Sequence, residues 1–227
     1  MAISAGVVAC TDDASTCELD PESILITAAV TDDLHGVQGD VRLYLENSDG
    51  LETSLRLCRE QGDLLTLNGA SLTESSVDGL YQYTATLNGP TATYTFRFTR
   101  GGKAYTLDVD APPDLEIATP TAGQEFSAAD ALPMTWSPEW LDNTLDLRAI
   151  PSDPTCLQSL QLDVDDVGAA ELPAGALVLP DAVEVPPTCP VTLQLRRVNP
   201  GVYPEGLAAG GWIEARMVAQ VVAVATP

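Results

Sequence analysis

Short runs in which apolar and polar side chains alternate make up most of the first half of the chain. The alternation recurs over residues 41–46, 54–57, 81–87, 92–98 and 105–109. A period of two puts one set of side chains on a buried face and the other in solvent, which is typical of antiparallel strands. Apolar runs near 24–30 and 64–67 add two more strands. The pattern therefore predicts an all-β first half of about seven strands.

The second half continues the same pattern. Strands are predicted near residues 132–136, 145–149, 157–164, 176–179, 191–198 and 212–224. The last of these is so long that we expect a bulge or a break within it. Between the halves lies Ala111-Pro112-Pro113, and paired prolines stiffen a linker and cannot donate to a sheet ladder. We predict a first domain over 20–111 and a second over 112–227, after an N-terminal segment over 1–19.

Two stretches resemble bacterial immunoglobulin-like domains. Residues 78–81, Asp-Gly-Leu-Tyr, are similar to the turn that enters a late strand of these domains, where Tyr81 would pack at the corner of a sheet. Residues 117–136 resemble the opening of such domains in bacterial surface lipoproteins, where Trp136 would fill the core. The resemblance implies two tandem immunoglobulin-like antiparallel β-sandwich domains in a bacterial envelope lipoprotein. It carries no functional residue, because the motifs are core and turn positions.

The N-terminal segment carries the sharpest local motif. Small apolar residues over 2–9 end at Cys10, and the sequence then turns polar at Thr11-Asp12-Asp13. This resembles the bacterial lipobox, in which a small residue precedes a cysteine that becomes diacylated and serves as the mature N-terminus. The resemblance implies lipidation of Cys10, and Thr11 resembles a signal for sorting to the outer membrane. The alternative is a short buried strand or a signal remnant, with Cys10 in a disulfide.

The cysteine count fits the lipobox. Five cysteines in an exported chain leave one thiol without a partner unless it is used otherwise. Without Cys10, one pair remains in each half: Cys17 with Cys58, and Cys156 with Cys189, although bonds between the halves stay open. No run after Cys10 approaches the roughly 18–20 apolar residues of a membrane span, so we expect membrane contact through the lipid anchor only.

Charge narrows the range of partners. The chain has 33 acidic and 10 basic residues, for a formal net charge of −23. A field of this sign repels phosphate backbones and anionic headgroups, so we do not expect nucleic acid as a partner. Cations or basic partners fit better, and the simplest role of the scattered charge is to keep an exposed protein in solution.

The sequence has few of the patterns that catalysis requires. His35 is the only histidine, lies in a predicted loop and has no G-x-S-x-G elbow to pair with. No C-x-x-C pair and no phosphate-binding glycine loop occurs. We therefore predict no catalytic residue and no enzymatic activity, and we expect His35 to be a solvated loop residue.

Calcium is the remaining chemical candidate, because Asp-rich loops of β-sandwiches can supply its oxygen ligands. Asp163, Asp165 and Asp166 form the densest acidic stretch, and Asp12-Asp13 and Asp32-Asp33 are weaker candidates. The simpler interpretation of each is a solvated turn. No other cofactor is expected.

Trp140 follows the core tryptophan by four residues. If exposed, it would stack on a sugar or a partner protein; if buried, it would cap the edge of the sandwich. We expect an exported, outer-membrane-anchored protein of a Gram-negative bacterium that binds an unknown envelope or extracellular protein or glycan, or serves as a spacer. A calcium- or carbohydrate-binding adhesin and a secreted hydrolase are the alternatives.

Overall fold

The all-β prediction is confirmed. A computed structural model describes residues 14–46, 52–178 and 187–226, and in these ranges strands dominate, with three single turns of 3-10 helix at Thr16–Glu18, Pro21–Ser23 and Arg59–Gln61. The first half contains β1 (Leu25–Asp33), β2 (Gly36–Glu46), β3 (Glu52–Ser54), β4 (Leu64–Leu67), β5 (Ala70–Ser71), β6 (Thr73–Val77), β7 (Leu80–Leu87), β8 (Thr93–Arg100) and β9 (Lys103–Asp110). The second half contains β10 (Glu116–Thr119), β11 (Glu125–Ser127), β12 (Leu132–Ser137), β13 (Thr144–Pro151), β14 (Leu160–Asp165), β15 (Ala169–Leu172), β16 (Cys189–Pro200) and β17 (Trp212–Thr226).

The strands form one large sheet and two small ones. The large sheet has the order β14-β13-β16-β17-β1-β2-β7-β6, with β11 also paired to β17 and β3 to β2. The four-stranded sheet β5-β4-β8-β9 encloses the first core against the first-half strands of the large sheet. The three-stranded sheet β10-β12-β15 encloses the second core against its other half. The protein is thus a pair of β-sandwiches that share one wall.

Strand β17 is the element that both sandwiches share. Its pairing with β16 runs without a shift in register from Glu214–Pro200 to Ala225–Cys189. The expected bulge or break in this strand is therefore wrong. The first part of β17 packs on the first core and the last part on the second, so the strand does not have to bend around a single core. Buried residues alternate in the same phase along its length, apart from the partly buried Val221. Both cores consequently lie on the same face of the large sheet, and on the opposite face, here called the outer face, the side chains of β17 are exposed or partly buried.

A parallel pairing fuses the two halves of the chain. Strand β1 pairs with the start of β17 from Thr27–Trp212 to Asp32–Met217. As a result, Ile213 and Ala215 lie in the first core, beyond the linker at residues 111–113. The first core therefore draws on residues from both sides of the predicted domain boundary, and the boundary itself stays a prediction.

The two cores differ in composition. Tyr83, Phe96 and Phe98 are among the fully buried side chains of the first core, whereas Met134 and Trp136 pack with aliphatic residues in the second. Each such side chain stabilises the fold by about 1.5–3 kcal/mol through apolar burial. The prediction that Trp136 fills the core of the second half is confirmed.

The structure agrees with the sequence-based prediction at the turn over 78–81 and differs from it at the strand predicted near 176–179. Asp78 and Gly79 have φ values of 52° and 78°, the backbone of a two-residue hairpin turn between β6 and β7. The predicted strand near 176–179 is not formed at 176–178, because Pro173 begins a turn there in which the Ala176 amide donates to its carbonyl. Strand β15 lies before that proline instead.

Both predicted disulfides are confirmed, with Cα–Cα distances of 4.8 Å for Cys17–Cys58 and 6.0 Å for Cys156–Cys189. The first ties the N-terminal segment to the first sandwich. Thr16 strengthens this attachment, because its hydroxyl donates to Asp63 at 2.6 Å. Two disulfides indicate an oxidising, extracytoplasmic environment. Cys10 lies outside the described residues.

Candidate functional site: a trough on the outer face

The outer face of the large sheet carries a concavity of about 470 Å³ beside the first sandwich, here called the trough. Its floor is the middle strand β1, which presents the small side chains of Thr27, Ala29 and Thr31. Neighbouring strands lie about 4.8 Å apart, so short side chains between two rows of long ones leave a channel along β1. Ala29 lies at the centre, paired with Asp40 on one side and Glu214 on the other.

Strand β17 supplies one wall of the trough through Trp212 and Arg216. Trp212 is 43% exposed, so a large part of its indole is available to solvent or to a ligand. The Arg216 guanidinium carbon lies 6.0 Å from the centre of the indole ring, at the limit of a cation–π contact. Glu214 accepts a hydrogen bond from Arg216 and fixes its guanidinium.

Strands β2 and β7 supply the other wall through Asp40, Arg42, Tyr44 and Gln82. The Gln82 amide donates to Asp40, whose carboxylate lies 3.7 Å from Nε of Arg42. A hydrogen bond to Tyr44 is the main cause that raises the pKa of Arg42 above its ordinary value, and Asp40 adds to it. These contacts orient the polar groups before any ligand arrives, which lowers the entropic cost of binding.

The trough combines an exposed aromatic ring with hydrogen-bonding groups of both kinds. Arg42, Arg216 and Gln82 supply donors, and Asp40 supplies acceptors. Each arginine lies beside a carboxylate, so the site is close to neutral although the chain has a net charge of −23. This arrangement suits the recognition of a polar ligand that has an apolar face.

Trp140, the aromatic residue singled out from the sequence, lies elsewhere. It is half-buried after β12 in the second sandwich, where its backbone amide donates to the Asp166 carbonyl at 3.1 Å. The sequence analysis assigned Trp212 only to the start of a strand. Its signal was the alternation itself, because Trp212 precedes the buried Ile213 and therefore points to the opposite, solvent-facing side.

The structure does not bring the three calcium candidates together. Asp163 and Asp165 are exposed on β14, whereas Asp166 is fully buried. Both Asp166 oxygens accept hydrogen bonds from Arg197, at 2.6 and 2.9 Å, and one also accepts from the Trp136 indole at 2.8 Å. Within the described ranges, no group of three or more His, Cys, Asp or Glu side chains is placed to hold a metal ion. Calcium binding by Asp163, Asp165 and Asp166 stays a prediction, and Asp166 would have to give up its bonds to Arg197 and Trp136 to take part in it.

The weaker acidic candidates and His35 lie near the turn between β1 and β2 or at the N-terminus. The His35 amide donates to the Asp33 carboxylate at 2.7 Å, and His35 itself is exposed, as expected for a solvated turn residue. Asp32 lies at the end of β1. Asp12 and Asp13 lie outside the described residues.

A scan against protein-family models finds no match for this chain, and a search of curated proteins finds none. Among the residues that the structure describes, no helix has the length and apolar character needed to cross a membrane.

Proposed function

We propose that this protein is a lipid-anchored envelope protein of a Gram-negative bacterium that acts by binding rather than by catalysis, with the trough as its binding surface. The observation that carries the proposal is the trough itself, where an exposed indole and oriented polar groups surround a floor of small side chains. The disulfides support an exported location.

The anchor would hold the first sandwich close to the membrane. Only residues 11–13 separate Cys10 from Ala14, whose carbonyl accepts a hydrogen bond from the Arg56 amide at 2.9 Å. At about 3.3–3.6 Å per extended residue, four steps span roughly 14 Å. A lipid on Cys10 would therefore be joined to the first sandwich by a short linker. The Cys17–Cys58 disulfide would attach the C-terminal end of that linker to the sandwich.

A spacer without a ligand is the second candidate function. It is favoured by the shared large sheet, in which β17 pairs without interruption with β16 and also pairs with β1, so that one continuous sheet runs through both sandwiches. A spacer needs no binding surface, so the two functions differ in whether the trough residues matter.

The anchor is tested by expressing the full-length gene in a Gram-negative host with an alkyne-labelled fatty acid. We expect label on the wild type and none on Cys10→Ala. Label that persists in Cys10→Ala would contradict the proposed anchor.

Binding is tested with purified full-length protein and isolated envelopes of the producing strain. We expect Trp212→Ala to abolish most of the binding, and Leu141→Ala, which trims a 58% exposed side chain outside the trough, to leave it unchanged. Trp140→Ala tests the aromatic residue predicted from the sequence. Binding that is equal in wild type and Trp212→Ala would show that the trough is not the binding surface, and no binding at all would favour the spacer.

A further inference from the structure

We propose that the trough binds a neutral, hydroxyl-rich saccharide chain, held across the strands with one sugar ring on Trp212. The inference rests on the proposed function and adds the chemical class of the ligand. Four features of the outer face carry it: the exposed indole, the mixture of donors and acceptors, the paired charges and a second concavity beside the first.

The indole of Trp212 provides the apolar part of the site. A pyranose ring has a face of C–H groups and a rim of hydroxyls, so it can cover the exposed indole while its rim stays polar. The trough also places a polar side chain within reach of those hydroxyls. Thr27 pairs with Trp212 on one side and with Arg42 on the other, so the indole and the guanidinium flank the same residue of β1. One ring can therefore touch the indole and Arg42 across a single strand.

The mixture of polar groups favours hydroxyls over other ligand groups. A hydroxyl both donates and accepts, so it can bind Arg42 and Asp40 at the same time. A carboxylate or phosphate would be attracted by the two arginines but repelled by Asp40 and Glu214. An ammonium group would be attracted by the two carboxylates but repelled by the arginines. The net charge of −23 also opposes the approach of an acidic polysaccharide.

A second concavity extends the site beyond one ring. It has a volume of about 200 Å³, shares Arg42 and Gln82 with the trough, and continues to the exposed side chains of Val77 and Leu80. Arg42 and Gln82 therefore separate two adjacent subsites and line both of them. From β17 to β6 the row crosses four strand spacings, about 19 Å, which matches an oligosaccharide of several rings rather than a monosaccharide.

The ligand class can be tested before the sugar is identified, using full-length protein and isolated envelopes. Envelopes are treated with periodate, which cleaves vicinal diols, or with proteinase K, and binding is then measured at low and high salt. We expect periodate to abolish binding and protease to leave it intact. We expect salt to change the affinity less than twofold, because a neutral ligand has no net charge whose attraction to the protein salt could screen.

Variants link the ligand class to the trough. We expect Trp212→Ala and Arg42→Ala each to weaken binding about tenfold or more, and Trp212→Phe to retain part of the affinity because a ring remains. Leu80→Ala, in the second subsite, should weaken binding less than Trp212→Ala. Leu141→Ala is the control, and thermal unfolding of every variant confirms that it is folded.

The outcomes separate this inference from the proposed function. Binding that needs Trp212 but resists periodate and is lost on protease treatment overturns the saccharide and keeps the trough as a site for a protein. Binding that falls steeply with salt overturns the neutral character and indicates an acidic glycan. Periodate-sensitive binding that is unchanged in Trp212→Ala and Arg42→Ala overturns the trough as the saccharide site.

Discussion

Replacing Asp166 by Ala should be one of the most damaging single changes in the second sandwich. The Arg197 side chain is fully buried, and Asp166 is its only counter-ion within the described residues. Its remaining donors reach backbone carbonyls, at 2.6 Å for Asp114 and 3.2 Å for Pro113, and also the carbonyl of Pro138. The pair therefore fastens the linker and the end of β12 to β16.

The size of the effect follows from these contacts. Removing one partner of a buried ion pair costs about 3–5 kcal/mol, because the other charge stays buried without compensation. The Trp136 indole N–H also loses its acceptor, which moves the cost of Asp166→Ala towards the upper end of that range. For a chain of this size, we expect the midpoint of thermal unfolding to fall by about 10 °C or more.

A double-mutant cycle measured by urea unfolding tests the argument. The double variant Asp166→Ala/Arg197→Met should lose less than the sum of the single variants, because no unpaired charge remains. Glu74→Ala is the control, since it breaks the more exposed pair with Arg56 and should cost no more than about 1 kcal/mol. A cost of less than about 1 kcal/mol for Asp166→Ala, or strict additivity in the cycle, would refute the reasoning.

Three further predictions concern the cores and the pH dependence of stability. Gly201→Ala should destabilise by about 1–3 kcal/mol in urea unfolding, because the new Cβ would lie 2.5 Å from the Asp108 carbonyl oxygen; an unchanged midpoint would contradict the close approach. Burial raises the pKa of Tyr83 to about 12, so the unfolded chain ionises first and stability is full below about pH 10 and falls between pH 10 and 12. Tyr83→Phe should make the fall in stability between pH 10 and 12 less steep than in the wild type. Equal slopes for the two proteins would contradict a role of Tyr83 ionisation. Partial burial, then Asp114 and Asp33, raise the pKa of Asp32, so its contribution to stability is present at low pH and lost as the pH rises through that pKa. Asp32→Asn should accordingly raise the thermal midpoint at pH 7 but not below pH 3.8, and an equal gain at both would exclude titration of Asp32 as the cause.

Many of the local features could be predicted from the sequence because they depend on neighbours along the chain. The alternation over 81–87 predicts β7, since a period of two is a property of a single strand. The turn at Asp78-Gly79 follows from residues that tolerate positive φ. Setting Cys10 aside leaves one pair of cysteines in each half, and the structure forms those two pairs, although the count alone left bonds between the halves open.

Alternation also assigns each residue to a face without saying what covers that face. It could have shown that Trp212 and Asp163 point away from the cores. It could not distinguish Asp166 from its exposed neighbours, because Asp166 follows the end of β14 and meets Arg197, 31 residues away. Alternation puts Trp212 on the solvent side of its strand, but the sequence contains no measure of how far the indole of Trp140 or of Trp212 is exposed.

The trough required the tertiary structure. Its floor on β1 and its wall on β17 are joined by the pairing of Thr27 with Trp212, which lie 185 positions apart in the chain. No local pattern encodes such a pairing, because alternation is satisfied equally well beside any strand of suitable length. The sequence by itself determined the all-β class, most of the longer strands and which of their side chains share a face, but it missed the short strand β15 and predicted a strand near 176–179 that is not formed at 176–178. Only the packing of both cores against one sheet decided which strands became neighbours, and with them the shape and chemistry of the outer face.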